Sequence, residues 1–192
     1  MLALYFSPGA SSMAPHIALH EIGVPFTPKP ISFNRREQRG EAFLRLNPEG
    51  KVPTLLIDGR SLAEVAGILY YLGRAFPEAG LFPSGDAEAE AQVVAWMSFV
   101  ASTLHPARRQ GPERVREVYT IVESKLSGRE WVGDRYSIAD IHLFRLFWRV
   151  RDLLLPTEAD FPTLSAHYDR MMARPAVQHT IEIEAAIGYE TP

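Results

Sequence analysis

The sequence contains no cysteine. That excludes disulfides, thiolate metal sites and any cysteine nucleophile. Lysine is scarce too: of 20 basic residues, 17 are arginine and three lysine, and the formal charge is −3. A net acidic chain argues against a nucleic-acid partner, because phosphate binding needs a basic face. Arginine pairs could still hold a carboxylate, since the guanidinium fork fits one bidentately. No apolar stretch approaches the roughly 20 residues that cross a bilayer. Residues 1–6 are apolar but few, lack a basic flank and run into Ser7-Pro8-Gly9, which does not read as a leader. A cytoplasmic protein without a membrane partner is expected.

What is present suffices for two small cores: 192 residues, 46% hydrophobic and 22% charged. Residues 2–6 read as a buried strand and 13–22 as a helix, with Ser11 or Ser12 as cap, Pro15 in its first turn and Gly23 as its stop. Strand 26–31, helix 39–46, strand 52–58, a turn at Asp58-Gly59, a short fourth strand and helix 64–76 follow. The order βαβαββα predicts a thioredoxin-like α/β domain over residues 1–77. Residues 78–85 read as a linker. Residues 86–192 predict an all-α bundle, with helices near 87–105, 113–126, 138–154, 162–173 and 176–186. A cleft is expected between the two domains.

Several groups of residues could carry chemistry. Ser7-Pro8-Gly9-Ala10-Ser11-Ser12 joins strand 1 to helix 1. A helix N-terminus there suits an anion or thiolate, and a serine could donate to it; equally, both serines could be caps. Val52-Pro53 opens strand 3, where a proline is tolerated. If its bond is cis, Val52 can offer its backbone to a peptide-like ligand; a trans strand start is the commoner case. Glu64-Val65 opens helix 3, where backbone N–H groups could hold a carboxylate while Glu64 takes an ammonium. Ser61 to Glu64 also fits a capping box. Ser98, Ser102 and His105, at i, i+4 and i+7, share a helix face that is either a wet cleft or plain solvent surface. Ser137 and Asp140 form a second capping box, with Tyr136 and Ile141 placed as its hydrophobic staple, so Asp140 reads as structural. His16 and His20 share a helix face but lack a third ligand at metal spacing, and no metal site is assigned.

The ordered set SPGASSMAPHIALHEIG (7–23), NPEGKVPTLLID (47–58), LAEVAGILYYL (62–72), WMSFVASTLH (96–105) and WVGDRYSIADIHLF (131–144) resembles the bacterial glutathione transferases of the beta class. The resemblance runs through the whole chain. It implies glutathione as cosubstrate in the first domain, an apolar electrophile facing the second, no prosthetic group, a detoxification role and a homodimer. By position, Val52, in a cis bond to Pro53 and beside Lys51, should pair with the cysteinyl backbone. Glu64 and the Val65 N–H should hold the γ-glutamyl end, and Arg35 the glycine carboxylate. Ser98 and Ser102 should line the site, with His105 near the thiol.

Three features depart from that pattern. The family's cysteine falls at Ser11, so a mixed disulfide is impossible; Ser11, Ser12 and His105 become the candidates for stabilising the thiolate, with the choice between the serines open. Val65 replaces the serine of many relatives. Residues 106–127 are shorter than usual, so the cosubstrate wall transfers least. Conjugation is the leading expectation. A non-catalytic glutathione or apolar-ligand binder, or a glutathione-dependent isomerase or dehalogenase on the same fold, are the alternatives.

Overall fold

The structure is a computed structural model that describes residues 1–154 and 157–190. Two compact units emerge. One holds residues up to Leu72 together with the chain from Pro175 on; the other is Gly73–Arg174.

The first unit begins with β1 (Leu2–Phe6), α1 (Met13–Ile22), β2 (Phe26–Pro30), α2 (Glu41–Leu46), β3 (Thr54–Ile57), β4 (Arg60–Ala63) and α3 (Val65–Ala75). The sheet order is β2-β1-β3-β4, with β1 parallel to β2 and antiparallel to β3. Alternation drives it: Leu2, Leu4 and Phe6 are buried on one strand, and Leu55 opposite Leu4 is fully buried. Pro28 and Pro30 lie in β2, an edge strand, where the missing N–H groups are tolerated. Gly23 ends α1 with φ 74° and an N–H bond to Leu19, the left-handed stop that glycine permits.

The second unit contains α4 (Ala87–Phe99), a π turn (Val100–Leu104), α5 (His105–Ala107), α6 (Pro112–Leu126), α7 (Ile138–Val150), α8 (Thr157–Asp160) and α9 (Pro162–Met172). The last helix is α10 (Pro175–Ile187). Eleven of the 13 residues of α7 are buried, as expected of a central helix. Its Phe147 lies between the rings of Tyr119 and Tyr168, each 5.7 Å away. Ser137 caps α7 in a full capping box with Asp140. Asp140 Oδ2 accepts from the Ser137 N–H at 2.9 Å, and Oδ1 from the Val132 N–H at 2.9 Å and His167 Nε2 at 3.0 Å. Its carboxylate is wholly occupied in holding the unit together.

Two sequence expectations change here. Residues 87–105 do not form one regular helix: the π turn interrupts the α period from Val100. Further, α10 packs on α1 of the first unit instead of closing the bundle. The reason is a matched polar pair of faces. His16 and His20, four apart on α1, meet Glu184 and Thr180, four apart on α10, at 2.8 Å each. All four are held in a setting from which polar groups rarely escape unpaired.

Candidate functional site

The sheet register gathers the candidate glutathione residues at one end. Tyr5 lies opposite Thr54, Phe6 opposite Pro30, and Thr54 opposite Ala63. The segments after β1, β2 and β4 and the segment before β3 therefore leave the same sheet edge. They carry Ser11, Arg35, Glu64 and Val52 respectively. Carboxyl ends of strands are where open α/β sheets place ligands.

The loop after β1 is fixed from within. Ser12 is fully buried. Its Oγ accepts from the Ser7 N–H at 3.1 Å and donates to the Ser7 carbonyl at 3.2 Å. Ser12 occupies the N-cap of α1 but makes no side-chain cap bond. Ser12 thus stands at the expected cap position, but its hydroxyl closes the loop on Ser7 instead of capping the helix. The Gly9 N–H is held from outside the loop by Glu184 Oε2 at 2.8 Å, and the other oxygen of that carboxylate meets His16 Nδ1.

Ser11 is partly exposed at the start of α1. Its Oγ donates to the Val52 carbonyl at 3.3 Å. The Val52–Pro53 bond is cis. Asn47 holds the approach to it, donating from Nδ2 to the Lys51 carbonyl at 2.9 Å and to Thr54 Oγ1 at 3.1 Å. Ala10, Ile31, Phe43 and Val52 pack as a small apolar cluster, with Tyr5 and Phe33 against it.

Glu64 is exposed and has φ 67°, a left-handed conformation that costs a non-glycine residue about 1–3 kcal/mol. Such outliers gather at ligand sites. Its carbonyl accepts from the Ile68 N–H at 2.9 Å, which makes Glu64 itself the first residue of the α3 entry. The N–H groups of Val65, Ala66 and Gly67 thus precede the helical ladder. The S-x-x-E capping box read at Ser61 is not formed, because Ser61 sits in β4 opposite Leu56.

Arg35 and Lys51 are exposed, paired at 3.0 Å with Glu37 and at 2.8 Å with Glu49. The Arg35 loop is braced by Glu190, which accepts from Ser32 Oγ at 2.8 Å and from the Asn34 N–H at 3.0 Å. Those bonds hold the Glu190 carboxyl below its ordinary range.

In the helical unit, Ser98 and Ser102 are exposed and His105 is half-buried. The π turn lies between Ser98 and His105, so the simple i, i+4, i+7 stripe does not describe their spacing. A π turn adds a residue to the helical circuit and is frequent at functional sites. Burial first, then Arg145, Arg109 and Arg108, lowers the His105 pKa. His142, on α7, is pushed down to about 3 by burial, then by His105 and Arg145.

Glu184, Glu190 and His142 escape sequence reasoning. A glutamate inside an apolar-rich terminal helix carries no local sign that it will reach a loop 175 residues earlier.

Family models for the glutathione S-transferase N-terminal domain and C-terminal domain match residues 2–74 and 86–175. A curated relative, glutathione S-transferase GST-4.5 of Xanthomonas campestris, is 31% identical over 95% of this chain and 98% of its own length. Among solved structures, a sphingomonad glutathione S-transferase complexed with glutathione is 32% identical, with TM-score 0.86 over 95% of this chain and 98% of that one. The bacterial beta class glutathione S-transferase of Sphingomonas chungbukensis is likewise 32% identical, with TM-score 0.84 over the same shares. With both domain models matched in order and relatives spanning nearly the full length, this chain is an enzyme of the glutathione S-transferase family.

Proposed function

We propose that the protein conjugates the thiol of reduced glutathione to an apolar electrophile, with Ser11 as the group that stabilises the thiolate. The observation that carries this reading is the Ser11 hydroxyl, which donates to the Val52 carbonyl at the sheet end where Arg35 and Glu64 also emerge.

A free thiol has a pKa near 8.5, so holding it ionised near neutrality needs a shift of about two units, roughly 2.7 kcal/mol. A hydroxyl donating to an anion supplies about 1.5–3 kcal/mol, and the N-terminus of α1 adds its partial positive charge. Ser12 is the weaker candidate, since Ser7 engages its hydroxyl as donor and acceptor. Its role in this reading is to shape the loop.

The tripeptide is placed by backbone and charge. The Val52 backbone pairs with the cysteinyl residue. The first-turn N–H groups of α3, from Val65, take the γ-glutamyl carboxylate, and Glu64 takes the ammonium. Arg35, with Lys51 near the cysteinyl segment, faces the glycine carboxylate. The electrophile falls to the helical unit, where Ser98 and Ser102 line its site. There His105 relays a proton to or from the reacting centre through water. In this reading the enzyme works as a cytoplasmic homodimer, the state that its resemblance to bacterial relatives implies.

Retention on immobilised glutathione, followed by conjugation of 1-chloro-2,4-dinitrobenzene, tests the proposal. It predicts both retention and turnover. Retention without turnover on any electrophile contradicts it and leaves a binding protein.

A further inference from the structure

We propose that Glu190 is a positioning residue for glutathione: through Ser32 and Asn34 it fixes the loop that presents Arg35, and so sets the preference for a thiol that ends in a carboxylate. The inference rests on the reading above that Arg35 faces the glycine carboxylate.

The loop after β2 starts at Ile31, whose N–H donates to the Phe6 carbonyl at 2.7 Å, and leads to the short turn Glu37–Arg39. Asn34, Arg35 and Arg36 on it are exposed. Arg36 stands at φ 55°, which a residue other than glycine keeps only where its surroundings impose it. The buried Ser32 is the centre of what imposes it. Its N–H donates to Glu37 Oε2 at 2.8 Å, and its carbonyl accepts from the Glu37 N–H at 3.0 Å. Its Oγ accepts from the Arg35 N–H at 3.1 Å. A hydroxyl has one hydrogen to give, and this one goes to Glu190 Oε1 at 2.8 Å. Glu190 Oε2 accepts from the Asn34 N–H at 3.0 Å. One carboxylate therefore holds the residue directly before Arg35 and the hydroxyl that receives the Arg35 N–H.

The chain is turned to make this reach. Gly188, at φ 100°, donates its N–H to the Glu184 carbonyl at 3.1 Å and leads the backbone out of α10. The same helix thus serves two loops of the candidate site, the one after β1 through Glu184 and the one after β2 through Glu190.

Arg35 meets Glu37 Oε1 through Nε at 3.0 Å. A guanidinium carries five N–H donors, so a pair at Nε is compatible with a forked carboxylate at the terminal nitrogens. An exposed ion pair orients a long side chain only weakly. The backbone of the loop decides where that charge stands, and Glu190 fixes the backbone. As a bare negative charge Glu190 would oppose a second carboxylate near Arg35, so its contribution is geometric. That separates an amide replacement, which keeps the geometry, from a truncation, which loses it.

The experiment compares glutathione with its glycine ethyl ester, which differs by one charge, in conjugation of 1-chloro-2,4-dinitrobenzene. The wild-type enzyme should favour glutathione by about 10-fold in kcat/KM, the factor one charge-assisted hydrogen bond provides. Glu190→Ala should cut that preference by about threefold or more. The cut should come from a raised KM for glutathione at unchanged kcat, with the ester unaffected. Glu190→Gln, which keeps a carbonyl acceptor for Asn34 and an N–H for Ser32, should restore most of it. Ser32→Ala breaks the link from the other side and should lower the preference as Glu190→Ala does. An equal loss on both thiols, or an unchanged preference in Glu190→Ala, overturns the inference. Arg35→Ala separates it from the reading beneath: a preference that survives in Arg35→Ala overturns both. A preference lost in Arg35→Ala but kept in Glu190→Ala overturns only the role of Glu190. Should neither thiol be turned over, the conjugation reading fails, and calorimetric affinities for the two thiols in the same variants decide the inference by the same ratios.

Discussion

The Ser11 hydroxyl donates to the carbonyl oxygen of Val52 across 3.3 Å. This joins the two segments that the sequence marks independently, the turn before α1 and the Val-Pro step before β3. The bond is long for an O–H donor and its acceptor is neutral. A thiolate is a stronger acceptor, because hydrogen bonds to ions are roughly twice as strong as neutral ones. Glutathione binding is thus expected to draw the hydroxyl from Val52 to sulfur.

Ser12 separates from Ser11 by experiment. Ser12→Ala leaves the buried Ser7 N–H without its acceptor. The loss is about 1–3 kcal/mol of stability, read as a lower urea midpoint. The pH profile of conjugation should stay where it was. A profile that shifts upward in Ser12→Ala would instead place the thiolate on Ser12.

Glu184 sets the position of the same loop from α10. Glu184→Ala removes a buried carboxylate that accepts from the Gly9 N–H and meets His16 Nδ1. The expected loss is about 3 kcal/mol or more, together with a raised KM for glutathione at constant pH optimum. Glu184→Gln keeps a carbonyl acceptor for Gly9 and should lie between. Chemical denaturation and steady-state kinetics on the two variants check this; equal behaviour to wild type would rule the brace out.

Asp140 is a structural acid. Asp140→Ala removes acceptors from Val132, Ser137 and His167 at once. A fall of about 3–5 kcal/mol in unfolding free energy follows. Under conditions where the variant stays folded, the pH profile of conjugation should match wild type. A shifted profile would mean that Asp140 takes part in the chemistry.

Acid should weaken the protein through its histidines. His142 is lowered to about 3 and His20 to about 4, in both cases first by burial. The unfolded chain protonates histidine near 6.5, so below that pH it binds more protons than the folded one. The stabilisation is complete above about 6.5 and declines as pH falls toward those lowered values. By pH 4, His142 alone accounts for a loss on the order of 3 kcal/mol. Urea midpoints measured from pH 7 to 4.5 should drop, and His142→Asn should drop less steeply. Parallel curves for the two proteins would contradict the assignment.

The element order of the first unit is legible in the sequence because each strand carries its own alternation and each helix its own stop, as with Leu2, Leu4 and Phe6 or Gly23. The capping box at Ser137 is legible for the same reason: it is local. What escapes is set by distant partners. Glu184 finds His16 across 168 residues, which turns a metal-like histidine pair into one face of a helix contact and takes α10 away from the bundle. Ser61 and Glu64 satisfy a capping pattern that the pairing of β4 with β3 overrides. The π turn at Val100 leaves no mark in composition, so the polar stripe was expected on α-helical spacing alone. Resemblance to the family points to Ser11, Val52 and Glu64; the sheet register explains why they share one end.

The central claim is that Ser11 holds the glutathione thiolate. It is tested most directly by titrating the thiol of bound glutathione, through its ultraviolet thiolate absorbance, in the wild-type enzyme and in Ser11→Ala. The account predicts a wild-type pKa about two units below the free thiol's 8.5 and a rise of about one unit or more in the variant. Identical titrations, with glutathione bound in both, would contradict it.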